Sequence, residues 1–72
     1  MTPARIRAMA KEEGCHVPES DDEPILFPEP YGRASLAMAL EDEFGIEELP
    51  EYETERCLSV NDWVDLVERI KR

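Results

Sequence analysis

The residues with the widest chemical repertoire in this chain are few. His16 is the only histidine, it follows Cys15, and the second cysteine is Cys57. Nucleophilic catalysis needs a nucleophile, a base and a group that orients the base. A Cys-His neighbour pair in a proline-rich stretch is a loop cysteine beside a solvated histidine rather than such an arrangement. Zinc needs about four ligands at characteristic spacings, which two cysteines and one histidine do not supply. The run Asp21-Asp22-Glu23 would attract calcium only weakly, because it lacks alternating ligands around a central glycine. No glycine-rich phosphate loop is present. The side-chain inventory therefore favours a binding module over an enzyme, with no metal or resident cofactor expected.

Charge is the stronger signal. Eighteen Asp and Glu against eight Lys and Arg give the 72 residues a formal net charge of -10. Such a surface repels phosphate backbones and anionic lipid and steers basic protein faces toward it. Direct nucleic-acid or membrane binding is not expected, and the partner should be a basic-faced protein. No apolar run approaches the ~20 residues of a membrane span, and Met1-Thr2-Pro3 lacks the basic-then-apolar opening of a secretory leader. The expectation is an unprocessed cytoplasmic monomer with reduced thiols.

These residues must be positioned by elements that the apolar spacing makes legible. The chain is expected to form one domain over residues 1–72, all-α, with helices at about 3–13, 31–44, 50–56 and 60–71. In the first, Thr2 is a candidate N-cap, Pro3 suits the first helical position, and Ile6, Met9 and Ala10 make a narrow apolar stripe ending at Gly14. Residues 15–30 hold four of the six prolines and exclude a helix of ordinary length. They read as a long loop with a solvated acidic part at 19–23 and an anchor of Ile25, Leu26 and Phe27. The second helix repeats Leu36, Leu40 and Phe44 and stops at Gly45. Its end carries Glu41, Asp42 and Glu43, where the macrodipole disfavours negative charge by about 0.3 to 1 kcal/mol per residue. Pro50 opens a short third helix. Ser59 with Asp62 makes a capping box for the fourth, Leu58 is placed to staple against Trp63, and Val60, Trp63, Val64, Val67 and Ile70 form its stripe. The expected core is Ile6, Met9, Leu36, Leu40, Phe44, Leu58, Val60, Trp63, Val67 and Ile70, and Cys57 is expected to be a small buried hydrophobe.

The second half also carries a family resemblance. Leu-Ala-Met-Ala-Leu-Glu-Asp-Glu-Phe at residues 36–44 resembles the recognition helix of acyl carrier proteins. Ile46 to Pro50, then Glu51, Glu53, Glu55, Arg56 and Cys57, resemble that family's short acidic third helix, with one residue inserted before Pro50. Ser59-Val60-Asn61 and Val64-Asp65-Leu66-Val67 are similar to its Thr-Val-Gln entry and last helix. The likeness covers about forty residues and implies a small four-helix bundle with a long Pro-rich loop between helices one and two. It does not extend to the Asp-Ser-Leu motif whose serine carries phosphopantetheine. Aligned without gaps from Phe44, Pro30 takes the serine's place and Glu29 the aspartate's. A second alignment sets Gly32-Arg33-Ala34-Ser35-Leu36 on the motif with Ser35 as acceptor. It deletes about five residues, which is ~1.4 helical turns, and leaves Ala34 in place of the aspartate.

What the resemblance implies for function is an acidic docking surface of Glu29, Glu41 and Asp42 with Glu51 and Glu55, the arm site being degenerate. Gly32 and Ser35 fall where the family often has further acids, which would weaken docking to its usual basic-faced enzymes. The leading expectation is a non-enzymatic, acyl-carrier-like interaction module without phosphopantetheine. The alternative is a functional carrier modified with phosphopantetheine on Ser35 and serving fatty-acid or polyketide-type enzymes. A third reading is a mimic of nucleic-acid charge that inhibits a DNA-binding protein.

Overall fold

The computed structural model describes residues 3–71, and the fold they form is all-α. Helix α1 spans Pro3–Glu12, α2 Gly32–Phe44, α3 Glu51–Thr54 and α4 Val60–Lys71. Thr2, the candidate cap of α1, lies outside the described residues. α1 packs against both α4 and α2, and α3 packs against α4. Among the described residues, extended chain appears only as two isolated antiparallel bridges, His16 with Leu26 and Pro24 with Ser59.

Local sequence sets the helix ends. α1 closes at Glu12, one residue before the expected end, where the Cys15 N–H reaches back to the Ala10 carbonyl and the Gly14 N–H to that of Lys11. α2 ends at Gly45, whose φ of 66° is the left-handed conformation that glycine adopts without steric cost. The Gly45 and Ile46 N–H groups both donate to the Glu41 carbonyl, so the chain reverses within two residues. At the other end of α2 a Cβ on Gly32 would lie 2.8 Å from Pro28 Cγ, so only glycine allows the helix to start against that ring. Pro50 stands just before α3 rather than inside it, and α3 is shorter than the expected 50–56. Its chain tightens into i−3 bonds from Arg56 to Glu53 and from Cys57 to Thr54.

The capping box of α4 forms in both directions. Asp62 N–H donates to Ser59 Oγ at 3.3 Å, and Ser59 N–H donates to Asp62 Oδ2 at 3.2 Å. The expected staple does not form, because Leu58 is 53% exposed. Its main chain is used instead: the N–H donates to Asp62 Oδ2 at 2.9 Å, and the carbonyl accepts from Ile25 N–H at 2.6 Å. Trp63 takes its aromatic contact from Phe27 in the loop, edge to face at 6.2 Å between centroids.

The core holds Ile6, Met9, Leu36, Leu40, Val60, Trp63 and Val67 as expected, Cys57, Val64 and the loop anchor Ile25 are buried as expected too, and Cys15, Ile46, Leu49 and Leu66 are added. Ile70 is 37% exposed, since the last turn of α4 is left uncovered on that side. Phe44 is only half-buried against the core, with the Lys71 ammonium 5.9 Å from its ring centroid. Leu66 is fully buried, which makes the covered face of α4 broader than the stripe through Val64 and Ile70.

The 15–30 segment is tied down at several points. Along its extended part, side chains alternate as they must with a period of two: Ile25 is buried, Leu26 exposed and Phe27 half-buried. Leu26 is thus not part of the anchor, and its role is the pair of main-chain hydrogen bonds with His16. The acidic stretch is not simply solvated either. Arg7 donates to the Pro18 and Glu19 carbonyls and to Asp21 Oδ1. Asn61 at the start of α4 donates its N–H to the Asp21 carbonyl at 3.0 Å and its Nδ2 to Asp22 Oδ1 at 2.6 Å.

Candidate functional site

The carboxylates near the end of α2 divide by what they touch. Glu41 is half-buried, and its Oε2 accepts the Leu49 N–H at 2.6 Å, holding the loop after α2 against the helix. Glu43 receives Arg5 through two hydrogen bonds, at 2.8 and 3.0 Å. That guanidinium lowers the Glu43 pKa by hydrogen bond, and Glu43 in turn raises that of Arg5. Asp42 is exposed, and no ion-pair partner for it occurs among the described residues. The last turn of α2 contains no basic residue. Of three adjacent acids, one braces a loop, one braces α1 and one is uncompensated.

Asp42 faces a groove of about 570 Å³ between the end of α1 and the second half of α2. Its apolar lining is Met38, Ala39 and Ile46, and its carboxylates are those of Glu13, Glu41, Asp42 and Glu47. Ser35 contributes to the same groove. The structure therefore brings Ser35, Glu41 and Asp42 together, while Glu29, Glu51 and Glu55 are exposed positions that do not line it. Ser35 is the fourth residue of α2, half-buried, with its N–H on the Tyr31 carbonyl at 2.8 Å. Pro30, the residue of the ungapped alignment, precedes α2 and is exposed.

A smaller cleft of about 300 Å³ lies between α3 and α4, lined by Glu53, Arg56, Cys57, Asp62, Asp65 and Arg69. Arg69 pairs with Glu53 across it at 3.1 Å. Cys57 Sγ lies 3.5 Å from the Glu53 carbonyl oxygen and 3.7 Å from that of Asp62. Burial, aided by the Asp62 charge, pushes the thiol pKa up to about 11. A thiol so held is protonated at neutral pH and a poor nucleophile. Cys15 is also buried and its pKa is raised by desolvation, whereas His16 beside it is exposed. Among the described residues, no group of three His, Cys, Asp or Glu side chains is placed to hold a metal ion. No helix among them is long and apolar enough to cross a membrane.

Sequence reading missed Arg33. From the first turn of α2 its guanidinium donates to the Thr54 carbonyl at 2.7 Å and to the Cys57 carbonyl, and it stacks over the Phe27 ring at 4.4 Å. One cation thus joins the start of α2, the loop and the end of α3. An arginine on a helix reads as a solvated charge, and nothing in its neighbours' spacing announces the distant carbonyls.

Comparison with protein-family models, with curated proteins and with solved structures returns no match for this chain.

Proposed function

We propose that this chain is a non-enzymatic, acyl-carrier-like interaction module that docks an acidic face onto a basic protein partner and carries no phosphopantetheine. The observation that supports this reading best is Asp42. It stands at the negative end of α2, where the macrodipole opposes it by about 0.3 to 1 kcal/mol, with neither a basic residue in that turn nor an ion-pair partner among the described residues. Its neighbours Glu41 and Glu43 are both given internal tasks. A charge retained against local stability is best accounted for by something outside the chain. Glu47, Glu51 and Glu55 are exposed as well, in the loop after α2, at the start of α3 and just beyond its end. Each exposed ion pair contributes about 0 to 1 kcal/mol, so several act together and docking is salt-sensitive. The two unpaired, buried thiols suit a reducing cytoplasm.

The carrier alternative draws on Ser35, which lines the groove between α1 and α2. Against it, Ser35 is a half-buried residue of α2 and shares the groove with four carboxylates, which repel the phosphodiester of a phosphopantetheine arm. Intact mass after incubation with coenzyme A and a broad-specificity phosphopantetheinyl transferase separates the two readings. No gain is expected while a genuine carrier in the same tube is modified. A gain abolished by Ser35→Ala would make the chain a carrier. The docking half is tested by pull-down with Asp42, Glu51 and Glu55 reversed to lysine, where unchanged capture of a basic partner would sink it.

A further inference from the structure

We infer that residues 16–26 form a strap that lifts from α1 and α4 as one unit while the helices stay packed, with Arg7 as its latch. Lifting uncovers the slot in the core that Ile25 fills. This goes beyond the docking reading and does not depend on it.

Within this stretch Ile25 alone is buried, so one apolar side chain anchors the whole of it. Its main chain meets the helical part of the molecule at two places: the Ile25 N–H donates to the Leu58 carbonyl, and the Asp21 carbonyl accepts the Asn61 N–H. The paired His16 and Leu26 bonds lie within the strap and close it into a loop. Side chains supply the other ties. The Arg7 guanidinium donates to the Pro18 and Glu19 carbonyls and to Asp21 Oδ1, so one cation gathers three acceptors and its departure frees all of them together. Asn61 Nδ2 on Asp22 is a second tie, from a neutral donor. Both ends are held without the latch. Before the strap, Cys15 is buried with its N–H on the Ala10 carbonyl, and Gly14, at a φ of 85°, supplies the joint to α1. After it, Phe27 lies edge-on to Trp63 under the Arg33 guanidinium, and the Pro28 carbonyl accepts the Gly32 N–H at 2.8 Å. A segment with fixed ends, polar ties and little buried apolar surface is the kind that opens before the core does.

Amide hydrogen exchange of the full chain, followed by NMR, tests the strap directly. The His16, Ile25 and Leu26 amides should share one protection factor, lower than those of Leu40 in α2 and Leu66 in α4. Low urea, or Val67→Ala in the core of α4, should speed the Leu40 and Leu66 amides and leave the strap amides as they were, because opening the strap exposes little surface and keeps that core intact. Arg7→Gln should speed the three strap amides by one common factor of about tenfold or more, and Asn61→Ala by a smaller one. If the strap amides follow Leu40 and Leu66 under urea and in Val67→Ala, the strap opens only with the whole fold and the inference fails. Strap amides unmoved by Arg7→Gln, or moved by unequal factors, would remove Arg7 as the latch of a single unit.

Discussion

The Arg33 guanidinium, in the first turn of α2, donates to the Thr54 carbonyl at the end of α3, 2.7 Å away and 21 residues along the chain. The Thr54 carbonyl already accepts the Cys57 N–H at 3.2 Å. Arg33 adds a charged donor to it and to the Cys57 carbonyl just beyond, while its flat face covers Phe27. Arg33→Met keeps the hydrophobic stem and removes the donors, and is expected to cost about 2 to 3 kcal/mol. Lysine should recover part of this, because its ammonium can still donate to carbonyls but cannot lay a planar face on Phe27. Urea unfolding of the three proteins provides the comparison, and a loss below half a kcal/mol for Arg33→Met would remove this role from Arg33.

Trp63 is fully buried, yet its indole Nε1 has no hydrogen-bond partner among the described residues. An unsatisfied buried donor costs about 1 to 3 kcal/mol. Trp63→Phe removes that penalty while giving up part of the ring, so the two effects oppose one another and a net loss under about 2 kcal/mol is expected. Trp63→Ala loses the whole contact with Phe27 and the core, for about 3 to 5 kcal/mol. Equal losses for the two substitutions in thermal or urea unfolding would show that the indole N–H is satisfied.

Cys57 links burial to pH. Its folded pKa is raised from 9.0 to about 11 by desolvation first and Asp62 second. For a thiol this favours the protonated, neutral form in the fold. The associated stability is full below the unfolded value near 9 and is lost as pH rises toward 11. Two outcomes are expected: slow alkylation of Cys57 in the native state at pH 8, becoming rapid in urea, and a Cys57→Ser variant whose stability falls less steeply between pH 9 and 11. Rapid native-state alkylation at Cys57 would contradict the burial that drives the shift.

Much of this architecture was written locally. The stripes Ile6-Met9 and Leu36-Leu40, the stop at Gly45 and the Ser59-Asp62 box depend on spacings within one helix, and the structure keeps all of them. What escaped was set by partners distant in sequence. Leu58 looked like a staple, but an N–H from Ile25 claimed its carbonyl and turned its side chain toward water. The acidic stretch looked like a solvated run until Arg7 and Asn61 were brought alongside it by α1 and α4. At the candidate site, Glu41 and Asp42 were adjacent acids of equal standing in the sequence. Only the return of the chain through Leu49 separates them, by giving Glu41 an N–H to hold. The apolar part of the groove needed the same return, because Ile46 reaches Met38 only after the chain has turned at Gly45.

Asp42 should show a conflict between stability and binding. Its charge opposes the α2 dipole and adds to the repulsion within a chain of net charge -10. Asp42→Asn removes both penalties at an exposed position without altering the internal contacts of Glu41 and Glu43, and is expected to gain about 0.3 to 1 kcal/mol. The gain should shrink in high salt, since screening already relieves the wild-type protein. Docking to a cationic partner should weaken in the same variant, which is the usual sign of a residue kept for function at a cost in stability. Melting curves at low and high salt, set beside binding of a lysine-rich helical peptide, measure both sides. A variant that is less stable than wild type at low salt, or that binds the peptide unchanged, would return Asp42 to an ordinary solvated surface charge.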